Sequence, residues 1–203
     1  YSEDIFLRSD GKKKGFIESV SGGLAVGVPS LVSVIEKVHN KHGKLPWGLL
    51  FEDAINYSEQ GFIVGKRLER LISLAPHLKN QEESKVYFKL NEGGLKAGEL
   101  KINNEFAFSL KAIRDSGSEA LLNGKLAENI LSTVVNHPSN PGIMVKADFE
   151  LVNPSITEPV CGNYRKWRIC GMGPPSSGGI TVLQILGILN NFNLSDKNLD
   201  LKD

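Results

Sequence analysis

The stretch that most restricts the fold is ITVLQILGIL, residues 180–189, in which seven of ten residues are apolar. A helix apolar around most of its circumference must be covered on most sides, so a buried helix is predicted over 180–192, packed on a sheet. MGPPSSGG (172–179) launches it, and two segments before that shift toward a period of two: ELVNPSITEPV (150–160) and YRKWRICGM (164–172). They read as strands. One or two strands cannot cover such a helix, so most of its sheet is expected to lie outside these 203 residues.

The preceding chain is helix-rich. Residues 1–20 are polar and Gly/Lys-rich and read as a loop. Pro29 or Ser30 opens a helix with Leu31, Val34, Ile35 and Val38 on one face, and Gly43 ends it. Pro46 opens a second, with Trp47, Leu50, Phe51, Ala54 and Ile55 as its apolar stripe and Gly61 as its stop. A third is predicted near 64–74, with Val64, Leu68, Leu71 and Ile72 facing inward. KVYFKLNEGG (85–94) carries β-favouring residues before a glycine turn and predicts a short hairpin or extended excursion. Helical spacing returns over 104–116 and 124–137, and HPSNPG (137–142) breaks the chain. The tail SDKNLDLKD (195–203) is polar.

Lys and Arg number 24 against 23 Asp and Glu, which removes any electrostatic case for nucleic acid or an anionic membrane surface. No apolar run approaches the roughly 18 residues of a membrane span. No signal peptide is recognisable, and the first residues read as mid-chain material. Cys161 and Cys170 lack zinc-ligand spacing; they could pair across a strand hairpin, but two free thiols are the favoured reading.

As a phosphate cradle the 172–179 loop fails, because Pro174 and Pro175 remove two N–H donors and no lysine follows Gly179. GMGPPS has Ser176 where a dinucleotide fingerprint needs its third glycine, and SSGG is not a G-x-S-x-G nucleophile elbow. Two readings stay open. In the favoured one the prolines end a strand and Ser176 or Ser177 caps the helix. In the other, Ser176, Ser177, Gly178 and Gly179 line a substrate, since hydroxyls and helix N–H groups there suit a carboxylate.

Elsewhere the chemistry is sparse. His39 and His42 share a helix face but lack a third ligand, so no metal is expected. His77 and His137 sit beside prolines in loops. Adjacent carboxylates (Glu52 with Asp53, Glu82 with Glu83) point apart on any regular element. No catalytic constellation is complete.

Taken in order, several stretches resemble the large subunit of γ-glutamyltranspeptidases. SGGLAVGVP (21–29), HGKLPWGLLFEDAINYSEQGFIV (42–64), PVCGNYRKW (159–167) and PPSSGGITVLQILGILNNFNL (174–194) match that family's motifs in order and spacing over nearly the whole chain. The resemblance implies a helix-rich α+β fold. Its helical module would span 21–150, and its strand–turn–helix (151–203) would join the αββα sandwich of an N-terminal-nucleophile hydrolase. It implies γ-glutamyl transfer from glutathione-like donors to amino acids, peptides or water, with no cofactor. The nucleophile would be the N-terminal threonine of a small partner subunit, acting with its own amine as base. Family members in bacteria are often exported, which implies a periplasmic or secreted setting. That threonine, the oxyanion-hole glycines and the arginine for the substrate carboxylate all lie outside this chain, so no catalytic residue is assigned within it.

There are departures too. Ser30 and Lys166 replace family glycines, ALLNG (120–124) replaces F-Y-x-G, and VKADFELV (145–152) lacks the usual threonine cap. The alternatives are a non-catalytic relic or assembly module, and an acylase of the same fold acting on another amide.

Overall fold

The computed structural model describes residues 3–194, and the polar 195–203 tail lies outside them. The chain divides at Pro154/Ser155 into two units. The first is helical, with α1 (Phe16–Val20), α2 (Leu31–His42), α3 (Glu52–Gln60), α4 (Lys66–Ser73), α5 (Glu82–Tyr87), α6 (Asn104–Ser116), α7 (Glu119–Leu122), α8 (Gly124–Val135) and α9 (Lys146–Glu150). Its only sheet among the described residues pairs β1 (Phe62–Ile63) with β2 (Leu100–Lys101), antiparallel.

Helix ends follow their local chemistry. Asn103 caps α6 by accepting from the Phe106 N–H at 3.0 Å. Gly61 and Gly117 close α3 and α6 with φ of 88° and 61°, which a β-carbon disfavours. Residues 1–20, read as loop, hold a 3-10 turn at Glu3–Phe6 and the five-residue α1. There the Glu18 carboxylate accepts from the Gly15 N–H at 3.2 Å and also binds Arg8. α9 forms without a threonine cap, because Asp148 accepts from the Val145 N–H at 2.8 Å.

Two hydrophobic clusters hold this unit. One joins α8 to α9 through Ala127, Val134, Met144 and Phe149. The other joins Val64, Ile72 and Leu95, with Leu68, Phe88 and Leu90 against it. That second cluster corrects the expected hairpin at 85–94, where the chain forms α5 and a 3-10 turn at Leu90–Glu92. Phe88 and Leu90 are drawn into the cluster, and Lys85 bonds Glu82 one turn back at 2.5 Å. Tertiary packing here overrides β propensity. The predicted inward faces are also corrected. Leu31, Val34, Ile35 and Val38 of α2 are 42–69% exposed, and only Ile55 of the second helix's stripe is buried.

The second unit is a hairpin, β3 (Val160–Tyr164) against β4 (Trp167–Gly171), followed by α10 (Gly178–Leu189). Residues 150–159, read as a strand, contain the end of α9 and then irregular chain. Pro154 and Pro159 withhold ladder donors there. Cys161 and Cys170 stand directly opposite in the hairpin, Cα atoms 4.1 Å apart, and are joined by a disulfide. This corrects the free-thiol reading, since cross-strand neighbours bring sulfurs within bonding reach. Native-state alkylation is therefore expected to leave both cysteines unmodified, with two adducts by mass only after reduction. Adducts without reductant would refute the pairing.

The α10 helix is not buried among the described residues. It lays Leu183 over Gly162 of β3, yet Val182, Ile185 and Ile188 are 47–63% exposed. A two-stranded hairpin covers one face of a helix and no more.

Candidate functional site

The 172–179 loop is set by a glycine crossing. A β-carbon on Gly171 would lie 2.6 Å from the Gly179 Cα, so the end of β4 and the start of α10 approach with only hydrogens between them. Pro174–Pro175 is cis, and the Ser176 N–H donates to the Gly173 carbonyl at 3.1 Å. At the other end of the unit, the Arg165 N–H donates to Asn190 Oδ1 at 3.3 Å, tying the hairpin turn to the helix C-terminus.

The structure brings Ser176, Ser177, Gly178 and Gly179 together at the N-terminus of α10. Ser177 occupies the cap position, yet its side chain makes no capping hydrogen bond. That corrects the capping role expected of the serines: both are exposed, and among the described residues neither hydroxyl makes a hydrogen bond. Gly178 and Gly179 begin the helix, so their N–H groups have no intrahelical acceptor. The loop thus offers two hydroxyls and a helix N-terminus to solvent. It contains no histidine, carboxylate, amine or thiol, so it can bind an anion but supplies no general base.

The remaining sequence candidates fall apart. The His39 ring stacks edge-on with Trp47 at 5.2 Å and its Nε2 contacts the Leu45 carbonyl at 2.9 Å, a structural role. Among the described residues no three His, Cys, Asp or Glu side chains cluster as metal ligands, and no helix is long and apolar enough to cross a membrane. Lys101 has a lowered proton affinity. Burial pushes its ammonium below the ordinary range and the charge of Lys89 adds to this. Its Nζ donates to the Tyr87 carbonyl at 2.8 Å and lies 3.7 Å from the Tyr87 ring centroid, which explains the burial without a catalytic task.

One residue was missed by sequence reasoning. Asn140, inside HPSNPG, is buried, donates to the Glu18 and Ser21 carbonyls at 3.0 and 2.7 Å, and accepts from Lys14. Its own N–H donates to His137 Nδ1 at 3.1 Å. This knot ties the N-terminal segment to the α8–α9 connection. A turn motif announces the break but not its distant partners.

The class emerges from comparison with solved structures. The fold matches γ-glutamyltranspeptidase from Helicobacter pylori with a TM-score of 0.89 at 30% identity, covering 100% of this chain and 57% of that one. It is similar to the glutathione hydrolase proenzyme of Bacillus subtilis strain 168, 36% identical over 192 residues, 95% of this chain and 32% of that protein. It is also similar to the acylase ACY 1 proenzyme of Pseudomonas sp. strain V22, 31% identical over 196 residues, with 95% and 34% coverage. The γ-glutamyltranspeptidase profile matches residues 1–202. The chain belongs to the γ-glutamyltranspeptidase family, and it spans about a third of the length of the curated relatives it matches.

Proposed function

We propose that this chain is the middle and latter part of the large subunit of a γ-glutamyltransferase/glutathione hydrolase. The single observation that carries the reading is the family match across the whole chain, in sequence and in fold. In this reading the N-terminal threonine of a small subunit attacks the γ-glutamyl amide carbon, its α-amine takes the hydroxyl proton, and the amine product departs. Water or an amino acid then releases the γ-glutamyl group. No cofactor takes part. The uncovered α10 face, with Val182, Ile185 and Ile188, supports placement of this unit in a layered αββα core completed by that partner. The cross-strand disulfide supports an oxidising compartment, periplasmic or secreted.

Ser176 and Ser177 are proposed as a wall near the substrate carboxylate rather than as reacting groups. The acylase relative favours a second reading, hydrolysis of another amide by the same fold.

Native purification followed by N-terminal sequencing and a γ-glutamyl-anilide assay tests this. A co-purifying chain beginning with threonine, together with anilide turnover, is expected. A threonine-led partner without γ-glutamyl turnover moves the assignment to an acylase. A chain with no such partner is a relic or assembly module. In the active protein, Ser176→Ala with Ser177→Ala is expected to raise KM by about tenfold, the loss of roughly 1 kcal/mol or slightly more in hydrogen bonding. An unchanged KM would remove these serines from the substrate wall.

A further inference from the structure

A cleft of about 710 Å³ opens in the first unit between α4 and the 93–97 loop. Lys66 and Arg70 stand on its α4 side, four residues apart and so on the same helix face, where like charges repel. Lys79, from the 3-10 turn after α4, and Lys96 complete the rim. Among the described residues the side chains of Lys66, Arg70 and Lys79 make no hydrogen bond or ion pair. The rim's carboxylate, Glu69, is already committed. It accepts from the Ala97 N–H at 3.2 Å and lies 3.6 Å from Lys96. Some exposed cations do find partners, as Lys89 does with Glu99, Lys111 with Glu59 and Arg114 with Asp115, whereas others, such as Lys41, Lys44 and Arg67, make no ion pair among the described residues. The local excess therefore differs from the chain's near-neutral balance of +1.

Part of the opposite wall is bare backbone. Gly93 and Gly94 adopt φ of 92° and 83°, and a β-carbon on Gly93 would meet nothing within 4 Å. Buried Ile72 and Leu95 form the floor, an apolar base that strengthens charge interactions above it. An arginine fork beside lysine point charges suits oxyanions in particular.

We propose that this cleft binds a small polyanion carrying two or more carboxylate or phosphate groups, gripped by Lys66, Arg70 and Lys79. Repulsion between the two α4 cations is relieved when the anion is bound, and binding weakens as salt rises.

Calorimetric titration of the natively purified protein with citrate, and separately with inorganic pyrophosphate, tests the site. Saturable one-to-one binding of at least one anion is expected. Preference for citrate assigns a polycarboxylate ligand, and preference for pyrophosphate a phosphate ligand. Lys66→Gln with Arg70→Gln should weaken binding by about tenfold or more, and Lys79→Gln, on a different element, should weaken it independently. Lys125→Gln on α8 should leave it unchanged. Circular dichroism of each variant checks the fold. Absence of saturable binding by either anion, or equal affinity in folded cleft variants and Lys125→Gln, overturns the proposal.

Discussion

Gly23→Ala is expected to lower the stability of the first unit by about 3 kcal/mol, at the upper end of overpacking penalties. The β-carbon would land on the Val134 carbonyl oxygen and stand 2.8 Å from the Gly142 nitrogen. Those two atoms are themselves hydrogen-bonded at 2.8 Å, so the methyl would intrude on an existing bond. Neither neighbour can rotate away, because both belong to the backbone. A β-carbon on Gly142 would in turn lie 2.5 Å from the Gly23 carbonyl oxygen, so the approach is close from both sides. Gly27→Ala is the control, since nothing lies within 4 Å of its β-carbon position, and its effect should stay within about 0.5 kcal/mol. Urea unfolding of both variants decides the matter. Equal midpoints would mean that the glycine pair in SGGLAVGVP is not there for close approach.

The second large effect has a sign that separates two explanations. Gly179 lies in the first turn of α10, where helix propensity alone predicts that Gly→Ala stabilises by up to about 1 kcal/mol. The structure predicts the reverse. The β-carbon would strike the Met172 carbonyl oxygen and come 2.9 Å from the Gly171 carbonyl carbon, forcing the helix off the strand end. A net loss of about 2 kcal/mol is expected, the overpacking cost less the propensity gain. Gly187→Ala, in the interior of the same helix with open space around it, should follow propensity and stabilise. Thermal unfolding of the two variants should therefore move in opposite directions. If both rise, the glycines of PPSSGG serve the loop's conformation and not the crossing.

These glycines show how far the sequence could be read. Gly43 and Gly61 were legible as helix stops because a stop is a local event, settled by a few residues of backbone and a cap. Gly23 is held by the backbone of Val134 and Gly142, far along the chain, and no short window of sequence contains that partner, whereas the Gly171–Gly179 crossing lies within a single strand–turn–helix stretch. The same division runs through the candidate site. Four adjacent residues, 176–179, mark a strand-to-helix turn on local grounds. That their hydroxyls stay unbonded follows only from the geometry of the cap. Lys66, Arg70 and Lys79 pass in sequence for ordinary surface charge, and only the folding of the 93–97 loop opposite them makes a rim.

By itself the sequence determined the family, the helix-rich character, most helix boundaries and the strand–turn–helix order of the second unit. These rest on periodicity, caps and motif spacing, which act over a turn or two. Only the tertiary structure decided that KVY is helical, that Cys161 and Cys170 are bonded, and that the α2 apolar face remains uncovered among the described residues. Each of those outcomes depends on what packs opposite, through burial and close contact between residues far apart in the chain or on facing strands, and local propensity carries no record of that.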